Sequence, residues 1–217
     1  MNLSFYFMLF MIYSFIGWIL EIIYTYFKEK KIINRGFLIG PYCPIYGTGC
    51  ILIILLLKRY LSDPIVLFVM AIVICSLLEY ITSYVMEKIF KARWWDYSDN
   101  KFNINGRICL ETLIPFGILG CIIMYVINPI ISNLLLIIPP KVLVVLSVFI
   151  VILFILDNII SYTIITKLHI STKDIIMDNT EEITKKVREY IYNNSRFGKR
   201  LMNSFSSLKI LKENYKK

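Results

Sequence analysis

Residues Val142–Ile165 read VLVVLSVFIVILFILDNIISYTII, and this stretch decides the fold of the chain. Asp157 is its only charged residue. At about 1.5 Å of rise per residue, a helix of this length is longer than the ~30 Å hydrocarbon layer of a bilayer. We therefore expect a membrane-spanning helix.

The composition of the whole chain agrees with this. Of the 217 residues, 58% are hydrophobic and 18% are charged, and the mean hydropathy is +0.68. Soluble domains have about 45–50% apolar and about 25% charged residues. A soluble domain of this size still exposes about a quarter to a third of its surface, so it could not bury this much apolar side chain. Soluble enzymes, disordered chains and disulfide-stapled secreted domains are excluded.

Four further stretches qualify as spans, and a fifth apolar run does not. The predicted spans are Leu3–Phe27, Tyr42–Leu57, Pro64–Ile89, Ile108–Ile127 and Val142–Ile165. Tyr42–Leu57 is short and begins with prolines and glycines, so we expect a helix with an irregular entry that protein must bury. The run Pro129–Ile138 is too short to span, and we expect an interfacial or re-entrant piece. The predicted fold is an all-α polytopic bundle of five spans.

The distribution of basic residues predicts the orientation. With the amino terminus outside, 21 Lys and Arg residues fall on the cytoplasmic side and 3 on the outer side. Cytoplasmic loops carry the excess of basic residues, so we expect the amino terminus outside and the carboxyl terminus inside. The start lacks a positive n-region, so no cleavable signal peptide is expected.

The chain divides into a transmembrane domain, residues 1–166, and a basic cytoplasmic tail, residues 167–217. The tail holds 12 basic and 6 acidic residues. Thr180 resembles a helix start, and a second amphipathic helix is expected after Gly198. Such helices suit an anionic lipid surface, and a solvated helical hairpin is the alternative. Nucleic-acid binding is not expected, because topology explains the basic excess.

Acidic residues inside the spans are the candidate functional residues. Each costs about 2.5–3.5 kcal/mol on insertion scales, so each requires a partner. All of them fall in or near the cytoplasmic half: Glu21, Glu79, Glu87, Glu111 and Asp157. We predict a vestibule open to the cytoplasm, walled by Glu21, Glu79, Glu111 and Asp157 and rimmed by Arg35, Arg93, Asp96 and Arg107.

Two hypotheses explain this vestibule. In the first, the acids bind a cation, a proton or a polar ligand, and neutralising Glu79 or Asp157 impairs activity more than folding. In the second, they pair with the arginines or with nearby polar side chains and hold the bundle together. The tryptophans of the third loop (Arg93-Trp94-Trp95-Asp96-Tyr97-Ser98) are expected to form an interfacial belt, with Arg93, Asp96 and Arg107 as counter-ions for the acids.

Signatures of common enzymes and metal sites are absent from the sequence. There is no GxxxxGK[ST], HExxH or GxSxG motif. The five cysteines form no CxxC pair and are expected to be buried apolar residues rather than metal ligands. We expect no metal and no other cofactor.

Several loop motifs resemble one bacterial family. They are Gly17-Trp18 with Glu21, Arg35-Gly36-Phe37 to Gly40-Pro41 and Pro44-Ile45-Tyr46-Gly47, Leu78-Glu79, Met86-Glu87-Lys88, Arg93-Trp94-Trp95-Asp96-Tyr97-Ser98, and Phe102-Asn103 with Gly106-Arg107-Ile108. Over about residues 5–165 the chain resembles the ABC-transporter type IV permeases, which are small multi-pass membrane proteins. The resemblance implies a multi-pass protein of the bacterial inner membrane that is the membrane subunit of a transport system.

We therefore expect a permease-like membrane component with a polar, acidic site facing the cytoplasm. The chain encodes no ATPase, so an ATPase subunit would act in trans, and a second copy would complete a translocation path. Membrane lipids are the other expected partners. One alternative is a membrane-embedded enzyme that uses the same acids with Arg93, Arg107 or His169 on an amphiphilic substrate. Another is a membrane scaffold or regulator whose basic tail binds lipid or a partner.

Overall fold

The computed structural model describes residues 2–30, 34, 36–90, 92–172, 200 and 209–210, and these residues form mainly helices. In chain order the elements are α1 (Leu3–Glu29), α2 (Pro44–Leu57), a 3-10 turn (Lys58–Tyr60), α3 (Pro64–Phe90), β1 (Ala92–Arg93), β2 (Asn103–Ile104), β3 (Ile108–Cys109), α4 (Leu110–Ile122), a π turn (Ile123–Ile127), α5 (Asn128–Ile137), α6 (Pro140–Thr172) and β4 (Lys209–Ile210). The predicted tail helices at Thr180 and after Gly198 lie outside the described residues.

Four helical segments are long and apolar enough to cross a membrane. They are Leu3–Phe27, Pro64–Phe90, Leu110–Ile137 and Pro140–Thr163. Much of their surface consists of exposed aliphatic side chains, and α6 is the least covered, with Val145 69% exposed. In lipid such surface needs no protein partner, because the acyl chains are as apolar as the side chains. The predicted all-α polytopic bundle is confirmed.

The second predicted span is the shortest. Helix α2 has 14 residues, which is about 21 Å and less than the hydrocarbon thickness. Its start lies beside the middle of α1, where the Cys43 amide donates to the Ser14 carbonyl oxygen at 2.9 Å. The non-helical residues 36–43 therefore reach the level of Ser14, part-way along α1, before α2 begins. This is the irregular entry that the prolines and glycines predicted.

The fourth span is longer than the sequence indicated. A π turn joins α4 to α5, so the helix continues from Leu110 to Ile137 over 28 residues. Pro129 lies in the first turn of α5, where a missing backbone N–H is tolerated. The expectation of an interfacial or re-entrant piece at Pro129–Ile138 was wrong, because the π turn absorbs the irregularity that the proline indicated.

The helices pack through close contacts at small residues. Leu9, Tyr13, Ile53 and Leu67 belong to the buried core between α1, α2 and α3. A Cβ added at Gly47 would clash with the hydroxyl of Ser14 and with the α1 backbone. The packing of α2 against α1 therefore requires glycine at this position.

The described residues of loop one (30, 34 and 36–43) and of loop three (92–109) lie at the same end of the bundle, called here the loop end. Phe37 of loop one packs against Phe90 and Trp94, with ring centroids 5.2 Å apart in both pairs. Phe90 also contacts Tyr162 of α6. Trp94 is only 3% exposed. The expected interfacial belt was therefore wrong for Trp94, which joins the two loops inside the protein.

Candidate functional site

A stripe of polar side chains follows one face of α3 towards the loop end. Ser76, Glu79, Ser83 and Glu87 recur every three or four residues, the spacing that places side chains on the same helical face. Glu79 is 9% exposed and Ser83 is 5% exposed. Burying polar groups in a membrane helix is expensive unless they are satisfied, so the partners of this stripe define the candidate site.

Glu79 and Glu21 lie together, each with a tyrosine. The Tyr97 hydroxyl of loop three donates to Glu79 Oε1 at 3.2 Å. The Tyr46 hydroxyl of α2 donates to Glu21 Oε1 at 2.7 Å. Tyr97 interacts electrostatically with both carboxylates. These four residues, contributed by α1, α2, α3 and loop three, are called here the acid–tyrosine cluster.

Loop three holds Tyr97 as a hydrogen-bond donor. Burial raises the pKa of Tyr97 well above its usual range, and the neighbouring carboxylates of Glu79 and Glu21 raise it further. The phenol therefore stays protonated at any physiological pH. Loop three thus covers the carboxylate of Glu79 with a neutral donor and not with a cation.

Glu79 is incompletely satisfied. In the described part of the chain, its Oε2 atom is buried and has no hydrogen-bond partner. The Ser76 hydroxyl, one turn away on the same face of α3, is also buried and without a hydrogen-bond partner. Most buried polar atoms in proteins are hydrogen-bonded, so such an atom requires an explanation. The cluster has an acceptor available for a ligand or a proton.

The predicted counter-ions bind Glu87, the one acid of the spans that was not placed in the predicted vestibule. Arg93 Nε lies 2.9 Å from Glu87 Oε2, and Arg107 Nη2 lies 3.0 Å from Glu87 Oε1. Arg93 also reaches Asp96 at 3.5 Å, and Arg107 donates to the Ser83 hydroxyl at 3.2 Å. Arg93, Asp96 and Arg107 therefore form one network around Glu87, at the loop end of α3.

The turn of loop three has the geometry that this network requires. Gly106 has φ +66°, a conformation that favours glycine, and an added Cβ would clash with Asp96 and Ser98. The turn joins β2 to β3, which pair Asn103 with Cys109. Arg107 follows immediately and lies over the rings of Tyr80 and Tyr84, 5.7 and 5.4 Å from their centroids. The motif that begins at Phe102 thus positions Arg107 against α3.

Asp157 binds loop one. Its Oδ1 accepts from the Ile39 amide at 3.1 Å, and its Oδ2 accepts from the Gly40 amide at 2.8 Å. The Ser161 hydroxyl donates to Oδ1 at 2.9 Å, and the Tyr42 hydroxyl donates to Oδ2. These bonds satisfy backbone amides that no helix supplies with partners, which is the requirement for irregular backbone at membrane depth. Asp157 is thus separate from the acid–tyrosine cluster and fastens loop one to α6.

Two described parts of the tail contact the same loops. The Arg200 guanidinium donates to the carbonyl oxygens of Leu38 at 2.6 Å, Ile39 at 3.1 Å and Gly36 at 3.2 Å. Strand β4 pairs antiparallel with β1, with Arg93 opposite Lys209. Burial lowers the pKa of the Arg200 side chain, and the nearby Asp157 carboxylate acts in the opposite direction. The loop end is therefore also where the chain binds its own tail.

The remaining predicted residues lie apart from these groups or outside the described part. Glu111 is exposed in the first turn of α4 and accepts from the Asn100 amide at 2.8 Å. Arg35 and the His169 side chain lie outside the described residues. Among the residues that the structure describes, no three His, Cys, Asp or Glu side chains could hold a metal ion. The four acids of the predicted vestibule thus occupy three separate places.

The sequence profile of the family described as "Putative ABC-transporter type IV" matches residues 8–162. The chain belongs to this family. Searches of curated proteins and of solved structures found no significant match. The matched range contains every residue of the predicted vestibule and ends before His169 and the tail. Family and apolar helices together identify a multi-pass membrane protein related to transport.

Three residues of this type IV protein that have polar roles were not part of the predicted vestibule. Tyr46 and Tyr97 hold the two acids of the cluster, and Glu87 binds both arginines. Glu87 shares the face of Glu79 and Ser83 by spacing alone, a signal that was present in the sequence. The tyrosines gave no such signal, because pairing them with acids requires the paths of α2 and loop three.

Proposed function

We propose that this type IV family member is the membrane subunit of a transport system and that the acid–tyrosine cluster is its polar site. The observation that carries the proposal is the position of Glu79, nine-tenths buried beside a second carboxylate from another helix, with one oxygen unpartnered. Ionisable groups buried inside membrane helices mark substrate and ion pathways. The predicted orientation makes the loop end cytoplasmic, so the site is entered from the cytoplasm.

An ATPase subunit from another chain is the proposed energy source. The sequence has no P-loop, so nucleotide hydrolysis would require a separate subunit. Loops one and three form one folded surface at the loop end, held by Phe37, Phe90 and Trp94. We propose this surface as the docking element, in a bacterial inner membrane and with a second copy of the chain completing the path.

The enzyme alternative has less support. It assigns catalysis to the acids together with Arg93, Arg107 or His169. Arg93 and Arg107 are both bound to Glu87 and do not contact the acid–tyrosine cluster. The scaffold alternative relies on a tail that binds lipid, whereas Arg200 binds loop one. Transport is therefore the function that the described contacts favour.

The test begins with affinity purification of the full-length protein from native membranes. We expect an ATPase subunit in stoichiometric amount, and ATP hydrolysis that rises when the complex is placed in proteoliposomes. Glu79→Gln should reduce this stimulation, whereas the matched variant Glu111→Gln, at the exposed rim, should not. The proposal fails if the protein purifies without an ATPase and alone converts a lipid-linked compound.

A further inference from the structure

We infer that Glu79 is a proton-binding site and that the acid–tyrosine cluster takes up and releases H⁺ at the loop end. The inference rests on the proposed function in treating this cluster as the working site. It adds the identity of one ligand, which the family assignment does not give.

Among the described residues, the titratable groups that interact with Glu79 are Glu21 of α1, Cys75 of α3 and Tyr97 of loop three. Tyr46 of α2 and Cys109 of loop three interact in turn with Tyr97. None of these described groups is a cation. An ionised Glu79 would therefore place a second negative charge beside Glu21 in a region of low dielectric, which is strongly unfavourable.

The arginines of loop three are paired with another carboxylate. Arg93 and Arg107 are bound by Glu87, two turns further along α3. Within the described ranges, Glu79 takes part in no ion pair, and its only hydrogen bond comes from the neutral Tyr97 phenol. A buried carboxylate without a paired cation usually neutralises by taking up a proton.

One carboxyl oxygen of Glu79, Oε2, has no hydrogen-bond partner in the described part of the chain. A proton on Glu79 Oε2 converts an unsatisfied buried acceptor into a neutral hydroxyl, while Oε1 keeps its bond from Tyr97. The Ser76 hydroxyl lies one turn away on the same face and also lacks a hydrogen-bond partner among the described residues. A proton needs one carboxyl group, whereas a bound metal ion needs several ligands, which this part of the structure does not assemble.

The route for the proton follows from the position of Tyr97. This residue belongs to loop three, and its hydroxyl donates to Glu79 Oε1 at 3.2 Å. Movement of loop three would remove the only described hydrogen-bond donor of Glu79 and open the carboxyl group to water. Proton binding and the position of loop three are therefore coupled through one hydrogen bond.

Infrared difference spectroscopy of the full-length protein in proteoliposomes tests this inference. The spectrum of the wild type minus that of Glu79→Gln at pH 7 should contain the C=O stretch of a protonated carboxylic acid. The same difference for Glu111→Gln is the matched control and should lack this band, because Glu111 lies at the exposed start of α4, where its carboxylate accepts from the Asn100 amide. Carboxylate bands in the Glu79 difference would overturn the inference.

A second measurement uses the wild type, so its result does not depend on whether the Glu79→Gln variant folds. Glutamate labelled with ¹³C in the wild type shifts the same carboxylic-acid band without any substitution. Dicyclohexylcarbodiimide should label Glu79 at pH 7 and not Glu111, since the carboxyl proton moves to the carbodiimide nitrogen as the carboxyl oxygen bonds to the central carbon. Absence of both the band and the label contradicts the inference.

These outcomes are separable from those of the proposed function. A protonated Glu79 in a protein that recruits no ATPase would support the proton site and refute the ATP-driven transport subunit. An ATPase complex in which Glu79 is ionised would support the transport subunit and refute the proton site.

Discussion

Asp157 and Glu79 are both acids inside membrane helices, yet their surroundings differ. Asp157 accepts hydrogen bonds from two backbone amides and two hydroxyl groups. Glu79 accepts one hydrogen bond, from Tyr97, and keeps one oxygen unpartnered among the described residues. An acid whose oxygens are saturated with donors holds structure together, whereas one with an available oxygen can change its partner or its protonation.

The difference follows from what packs against each acid. Loop one lies against Asp157 and brings backbone amides that lack helical partners. Loop three lies over Glu79 and brings a phenol, while its guanidinium groups bind Glu87. The structure therefore separates two residues that the sequence treated alike. Neutralising Asp157 should affect folding, and neutralising Glu79 should affect activity.

The largest expected effect is from Asp157→Asn. The new NH₂ group would face the amides of Ile39 or Gly40 in place of an acceptor, leaving a partly buried donor unsatisfied at a cost of about 1–3 kcal/mol, with a further loss because hydrogen bonds to a charged group are the stronger ones. We expect a clearly lower thermal unfolding midpoint in detergent and less folded protein. An Asp157→Asn protein as stable as the wild type would contradict the structural role of Asp157.

The next largest effect is expected from Glu79→Gln. A glutamine keeps the volume and still accepts from Tyr97, so the free energy of unfolding should change by less than about 1 kcal/mol. Because the ionisable group is lost, the stimulation of ATP hydrolysis should fall about tenfold or more, which corresponds to about 1.4 kcal/mol. The measurement is the stimulation of ATP hydrolysis in proteoliposomes. Equal losses of stability for Glu79→Gln and Asp157→Asn would remove the contrast between the two acids.

The sequence predicts the depth of a residue along its own span better than it predicts which residues of other spans lie beside it. Helical rise fixes the depth of a residue along its own span, so the apolar stretches and the depth of the acids were readable. The rotation of each helix about its axis depends on the neighbouring helices, which no single span encodes. For this reason Glu21 and Glu79 were rightly expected to be near each other, whereas the separate positions of Asp157 and Glu111 were not foreseen.

The paths of the loops were the least predictable part. Prolines and glycines indicated that loop one has a specific shape, but not that its amides reach Asp157. Trp94 and Tyr97 belong to residue types that commonly form an interfacial belt. Their burial depends on Phe37 and Phe90, which are distant in sequence. Pro129 was misleading because the π turn before it lets the helix continue.

The third prediction concerns a smaller effect and compares two variants, Tyr97→Phe and Tyr42→Phe. Each variant removes one phenol hydroxyl from one acid, at a cost of about 1 kcal/mol in stability. In Tyr97→Phe, Glu79 has no described hydrogen-bond donor. Its carboxyl group should therefore become more accessible, and its carbodiimide labelling should increase several-fold. Asp157 keeps its two amides and Ser161 in Tyr42→Phe, so loop one should stay in place, as measured by hydrogen exchange. Unchanged labelling in Tyr97→Phe would contradict the covering role of loop three.

The smallest effect is expected from Arg200→Ala. Its guanidinium binds three carbonyl oxygens of loop one, but Arg200 is partly exposed, so water can replace these bonds and the stability cost should be about 1 kcal/mol or less. The observable consequence is local. Hydrogen exchange of residues 36–43 should become faster, whereas the matched variant Arg59→Ala at the opposite end should leave it unchanged. Because Asp157 still holds the amides of Ile39 and Gly40, loop one should loosen without leaving α6. If Arg200→Ala released loop one as fully as Asp157→Asn does, then Arg200 of the tail, and not Asp157, would be the main attachment of loop one.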